Sequence, residues 1–153
     1  QPTDLGQLAM NIIKTMETLS TQHRFVGDFP SQPLVVTVDA KRIEQVLRNL
    51  LDNAIKYSPG GGTVTVRGRR DKWQILILVS DDGIGIPAEE QDKIWLRLYR
   101  GDKSRSQRGL GLGLSLVKDF AQAMGGRISV RSTPGHGSAF TLHLPAASTE
   151  SHG

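Results

Sequence analysis

The sequence has 153 residues, 37% of them hydrophobic and 5% aromatic, with a net charge of +4, which suits one globular domain built on one core. It has no cysteine, which excludes disulfide frameworks, thiolate nucleophiles and cysteine metal sites, and its longest purely aliphatic run, Ile75 to Val79, is far too short to span a membrane. Glycine is in excess, 17 residues or about 11% against a usual ~7%, and 12 of them cluster at 60–62, 83/85, 109/111/113, 125/126 and 135/137 with no Gly-X-Y period. Such clusters mark tight turns or places where backbone comes close to a ligand.

A first helix is predicted over residues 4–22: Asp4 supplies the N-cap, and Leu5, Leu8, Ala9, Ile12, Ile13, Met16 and Leu19 recur at helical spacing. Phe25 to Phe29 alternates as a strand does, Pro30 and Pro33 break the chain, and Leu34 to Asp39 is a short apolar strand. Asp39 caps a second helix, about 40–57, whose apolar face is Ile43, Val46, Leu47, Leu50, Leu51, Ala54 and Ile55. Ser58-Pro59-Gly60-Gly61-Gly62 ends it. Thr63 to Arg69 and Trp73 to Ser80 are two strands joined around Asp71-Lys72, Asp81 to Pro87 is a turn, and Ala88 to about Leu98 is a short helix. Residues 99–109 are polar, basic and irregular. A third helix runs from Leu110 to Met124 and stops at Gly125-Gly126. Arg127 to Ser132 and Ser138 to Leu144 are strands joined across Pro134-Gly135-His136-Gly137, and a frayed tail is expected from Ala146. Helices and strands mix without regular βαβ alternation, so the predicted class is α+β, helices layered on one mixed sheet. The start at Gln1, with no signal-like stretch, reads as a piece of something longer.

Three constellations carry chemical possibilities. On the second helix Asn49, Asn53 and Lys56 lie within about 60° of one another. Asparagine is a poor helix-interior residue, because its amide competes for backbone hydrogen bonds. The trio fits a polar surface stripe, or neutral oxygen ligands and one cation aimed at phosphate and a divalent ion. Asp81-Asp82-Gly83-Ile84-Gly85 follows a buried strand. It fits a tight turn, or a carboxylate placed to accept the exocyclic amino group of adenine, with glycines admitting a flat ring. Gly109-Leu110-Gly111-Leu112-Gly113-Leu114 opens the third helix, where free N–H groups attract phosphate. The preceding basic run, including Lys93, Arg97, Arg100, Lys103, Arg105 and Arg108, fits a solvated loop or a triphosphate clamp. No P-loop or Rossmann fingerprint is present, and His23, His136, His143 and His152 have no catalytic or metal-binding spacing.

The order of these segments resembles the sensor histidine kinases. "QVLRNLLDNAIKYSPGGG" from Gln45 is similar to their N box, "DDGIGIP" from Asp81 to their first glycine box, "IWLRLYRGDKSRS" from Ile94 to their F box, and "GLGLGLSLVK" from Gly109 to their second glycine box. "GGRISVRSTPGHGSAFTLHLP" from Gly125 resembles the strand-turn-strand that closes their catalytic domain, and "QPTDLGQL" and "VDAKRIEQVL" also fit. The resemblance covers residues 2–145 and implies the Bergerat fold, a two-layer α/β sandwich with about three main helices on a mixed sheet of about five strands and an ATP lid loop.

It further implies Mg-ATP. Asn53 would coordinate Mg2+, Asn49 would line the same face, Lys56 would meet the phosphates and Tyr57 would pack beside the nucleotide. Asp81 would accept the adenine amino group, with Gly83, Gly85 and Ile86 around it and Ser138 at the same end. Arg100, with Lys103 and Arg105, would reach the terminal phosphates, and Gly109, Gly111, Leu112, Gly113 and Leu114 would form the hinge and floor of the lid. Asn49, Asn53, Lys56 and Arg100 would carry the reaction. The F box departs from the pattern at Trp95 and Leu98, where phenylalanines are usual, and the second glycine box at Leu110, where a small or hydroxyl residue is common.

No histidine here stands in the H-[ED]-x-x-[TN]-P setting of a phosphoacceptor, so residues 1–145 are expected to be the ATP-binding catalytic domain alone, with 146–153 a flexible tail. Related gyrase, chaperone and mismatch-repair ATPases carry a water-activating glutamate where Asn49 stands, and an amide is no general base near neutral pH. That favours transfer to an acceptor histidine on a dimerisation domain, then to an aspartate on a response-regulator receiver domain. The domain itself is expected to touch neither nucleic acid nor membrane, and to lie on the cytoplasmic side of a membrane-bound bacterial receptor. The alternative is a nucleotide-binding regulatory module of the same fold without transfer activity.

Overall fold

In chain order the computed structural model, which describes residues 2–95 and 113–146, contains β1 (Pro2–Asp4), α1 (Leu5–Leu19), β2 (His23–Asp28), β3 (Val35–Thr37), α2 (Ala40–Lys56), β4 (Gly62–Asp71), β5 (Gln74–Asp81), α3 (Gly113–Ala123), β6 (Arg127–Ser132) and β7 (Ser138–Pro145). Two aspartates start the first two helices as their positions predict. Asp4 Oδ1 accepts the N–H groups of Gly6 and Gln7 at 3.0 and 3.4 Å, and Asp39 Oδ1 accepts those of Lys41 and Arg42 at the same distances. α1 ends at Leu19, short of the predicted residue 22. There Ser20 bonds the ring of His23, and β2 begins at that histidine rather than at Phe25.

Five strands form one sheet in the order β2-β4-β5-β7-β6, with β2 parallel to β4 and every other pair antiparallel. Three helices on a mixed five-stranded sheet is the architecture predicted. β1 and β3 form a separate antiparallel pair, Pro2 opposite Thr37 and Asp4 opposite Val35. Three-residue strands show no readable period, which is why β1 is invisible in the sequence.

One face of the sheet meets the helices. β5 buries Ile75, Ile77 and Val79, β7 buries Phe140, Leu142 and Leu144, and α2 answers with Ile43, Val46, Leu47, Leu50 and Leu51. The same alternation continues past the apolar residues. Asp81 follows Val79 and Ser138 precedes Phe140 on the buried side, and the two pair in register. The sheet's helix-facing surface therefore ends in a carboxylate beside a hydroxyl.

Over 88–95, the described part of the short helix predicted over 88–98, no α-helix forms. Only Ala88–Glu90 make a 3-10 turn, and further turns carry the chain to Trp95. Pro87 precedes it without a side-chain cap, and Gln91 spends its amide on the backbone of Ile86 and Ser132. Trp95 packs edge-on against Phe140, ring centroids 5.9 Å apart, so it anchors this segment to the core. Leu98, residues 99–109, the first turn predicted from Leu110 and the tail from 147 lie outside the described residues. No described helix is long and apolar enough to cross a membrane.

Candidate functional site

Asp81 is nearly buried, at 9% exposure, where β5 ends. Its Oδ1 accepts the Gly83 N–H at 2.9 Å, and the Ser138 backbone also bonds the carboxylate. Burial pushes its pKa above the ordinary value of 3.8, with those two N–H groups pulling the other way, Asp82 adding a smaller upward push and His23 a smaller downward one. The loop after it is closely seated. Ile84 N–H donates to the Tyr57 carbonyl at 2.8 Å, and Gly135 N–H donates to the Ile84 carbonyl at 2.7 Å.

The glycines here have a reason the sequence does not reveal. A Cβ on Gly83 would run into the Tyr57 carbonyl, and one on Gly85, whose φ is +76°, into the Thr133 carbonyl. Both are needed for backbone to approach backbone, Gly83 against the end of α2 and Gly85 against the turn between β6 and β7.

That end carries the asparagines. Asn53 is buried at 7% exposure, Asn49, Lys56 and Tyr57 are half-buried, and Tyr57 closes the helix by donating its N–H to the Asn53 carbonyl at 3.0 Å. The Asn53 Nδ2 has no hydrogen-bond partner. A buried polar atom left unpaired costs about 1–3 kcal/mol, so its presence on a helix face that otherwise buries leucine needs a reason. Turning the amide over puts Oδ1 in that same unpaired position. Among the described residues no group of three or more His, Cys, Asp or Glu side chains could hold a metal ion. A divalent cation on Asn53 would thus take one neutral oxygen from the protein and the rest from phosphate and water, which fits Mg2+ carried by a nucleotide.

Ser138 is buried, and its Oγ lies 3.0 Å from the Ser132 Oγ. Ile86 is buried with its N–H bonded to that same Ser132 hydroxyl at 2.7 Å. Gly113 is the first residue of α3 and Leu114 is buried behind it. Arg100, Lys103, Arg105, Gly109, Gly111 and Leu112 lie outside the described residues. The structure therefore brings together one end of the predicted site: Asp81, Gly83, Gly85, Ile86 and Ser138, set against the α2 terminus.

Three side chains near this site carry no sequence signal. Gln91 and Ser132 bond the backbone of the Asp81–Pro87 loop and its hairpin neighbour. His23, buried at 8% exposure, reaches the Ser58 carbonyl through Nε2 at 2.7 Å and the Ser20 hydroxyl through Nδ1 at 2.6 Å. A carbonyl can only accept, so Nε2 donates its N–H to Ser58. Ser58 in turn donates to the Ala54 carbonyl at 2.6 Å, so His23 is a strut between β2 and the last turn of α2.

The family described as histidine kinase-, DNA gyrase B- and HSP90-like ATPases matches this chain over residues 38–148. The sensor histidine kinase WalK of Bacillus subtilis is 41% identical over 139 residues, covering 88% of this chain and 23% of WalK. The sensor-like histidine kinase SenX3 of Mycobacterium tuberculosis is 48% identical over 121 residues, covering 78% of this chain and 29% of SenX3. The chain thus spans less than a third of either relative. Among solved structures, a mycobacterial sensor histidine kinase, MprB, superposes with a TM-score of 0.86 at 29% identity, covering 95% of this chain and 98% of that one. Full-length ShkA, solved in complex with AMPPNP, superposes with a TM-score of 0.84 at 25% identity over 96% of this chain and 31% of its own.

Proposed function

The chain belongs to the histidine kinase-, DNA gyrase B- and HSP90-like ATPase family, and from that premise we propose that it is the ATP-binding catalytic domain of a sensor histidine kinase. It takes Mg-ATP and passes the γ-phosphoryl group to a histidine on a dimerisation domain of the same receptor. A response-regulator receiver domain then takes the group onto an aspartate. The receptor is a bacterial membrane protein with this domain on the cytoplasmic side.

In this reading Asp81 accepts the adenine amino group, Gly83, Gly85 and Ile86 form the floor, and Ser138 stands beside the carboxylate. Tyr57 borders the nucleotide where α2 ends. Asn53 would hold Mg2+, with Asn49 lining the same helix face, and the ion would neutralise charge on the phosphates. Lys56 and Arg100, with Lys103 and Arg105, bind the phosphate oxygens, and Gly109, Gly111, Leu112, Gly113 and Leu114 cover them. Such transfer needs alignment and charge neutralisation rather than a strong base. The neutral amide at Asn49 suits that requirement, because it leaves water unactivated while an arriving imidazole brings its own nucleophile. The bond to the β,γ-bridging oxygen breaks, a P–N bond forms at the imidazole, and ADP leaves.

The observation that carries this reading is the buried, unpaired amide of Asn53 on the helix whose end receives the Asp81 loop. The test mixes the chain with a purified dimerisation domain bearing a phosphoacceptor histidine and γ-labelled ATP. Acid-labile, base-stable label on that domain is expected. ATP bound tightly with no label on any acceptor domain favours the non-transferring alternative, and no ATP binding at all overturns both.

A further inference from the structure

The Ile84–Ile86 backbone is soft by composition, since Gly83 and Gly85 flank Ile84. Ile84 is held by backbone partners, as described. Ile86 is held by two side chains. Its N–H donates to Ser132 Oγ at 2.7 Å, and its carbonyl accepts from Gln91 Nε2 at 2.9 Å. The other hydrogen of that amide goes to the Ser132 carbonyl at 3.0 Å, so Gln91 spans the loop and the hairpin strand with one group. The Ser132 hydroxyl donates to the Gly137 carbonyl at 2.9 Å and lies 3.0 Å from Ser138 Oγ. One hydrogen given and two lone pairs filled exhaust that hydroxyl, with Ser138 as the donor to its second lone pair. Both clamping residues are half-buried, so their bonds are partly shielded from water.

We infer that Gln91 and Ser132 are positioning residues for the adenine floor. They fix Ile86 and the Ser138 hydroxyl relative to Asp81, and so set base affinity and the preference for adenine. The inference rests on the ATP reading above. A carboxylate reads the six-position amino group only if base and loop keep their spacing within a fraction of an ångström, and two glycines do not supply that stiffness.

The test uses the full 153-residue chain and measures ATP and GTP affinities by calorimetry, with thermal unfolding in the absence of nucleotide. Ser132→Ala and Gln91→Glu are each expected to weaken ATP about tenfold, the size of one or two hydrogen bonds. GTP, which presents an acceptor oxygen rather than an amino group at the six position, is expected to change less, so the ATP:GTP preference contracts. Ser132→Thr, which restores a hydroxyl, returns ATP affinity to the unsubstituted level. Unchanged ATP affinity in both variants overturns the inference. So does an equal loss of ATP and GTP accompanied by lower thermal stability, which marks general loosening. An unsubstituted chain that does not bind ATP, or does not prefer it to GTP, fails the ATP reading itself and takes this inference with it.

Discussion

At Asp81 stability and binding pull in opposite directions. Burial raises its pKa, so the folded state holds that proton more tightly than the unfolded chain does. The stabilising share of such a carboxyl is complete below the ordinary value of 3.8 and is lost as pH rises through the folded value. Near neutral pH the ionised carboxylate is a cost to the fold. Asp81→Asn keeps an oxygen for the Gly83 N–H and removes that cost. Its melting temperature is expected to equal or exceed that of the unsubstituted chain near neutral pH, the gap closing as pH falls through the folded value toward 3.8. Its ATP affinity falls at least about tenfold, the loss of a charged hydrogen bond. Calorimetry and thermal melts across pH read both quantities, and unchanged affinity would remove the adenine assignment. Asn53 makes a parallel case. Asn53→Ala deletes an amide whose Nδ2 is already unpaired, so relief offsets the small cavity and apo stability shifts by less than about 1 kcal/mol. Mg-ATP affinity drops, and titrations in EDTA bring variant and unsubstituted chain together. A difference that persists without magnesium would refute the metal role.

At the scale of elements, what the sequence discloses depends on how local the cause is. Both acidic N-caps are readable because a cap acts within three residues, as Asp39 does on Lys41 and Arg42. Asp39→Ala is expected to cost about 1 kcal/mol by denaturant titration. It should leave ATP affinity untouched, since Asn53 stands about 21 Å along the helix at 1.5 Å per residue. Asp81 is readable too, because Ile75, Ile77 and Val79 count off the buried side at every second position and Asp81 is next. His23, Gln91 and Ser132 are unreadable. Each has a partner 35 to 46 positions away that is a backbone atom, which every residue type possesses. The 3-10 turn at Ala88–Glu90, where the sequence pattern predicts a longer helix, differs for a related reason. Local composition permits a helix there, and distant bonds from Gln91 and the Trp95 ring contact accompany a different course.

At the scale of the whole molecule, a ligand that binds only the folded state stabilises it by mass action. Saturating Mg-ATP at about a hundred times its dissociation constant is expected to add about 2.7 kcal/mol, visible as a rise in melting temperature that EDTA reduces. No shift at millimolar Mg-ATP would contradict the proposed site. The fold class, the helix count and the mixed five-stranded sheet could be read from pattern and resemblance. The strand order could not, because pairing across the chain leaves no local mark.

That strand order also has a consequence in time. β7, the last of the described strands in chain order, is not at an edge but is inserted between β5 and β6. During synthesis Asp81 emerges long before its neighbour Ser138, and until then β5 has one open side. A nascent chain halted before β7 exposes the apolar strand Gln74–Asp81 and lacks the hairpin that closes over the loop. In such a chain the Asp81 carboxylate also lacks the bond it accepts from the Ser138 backbone.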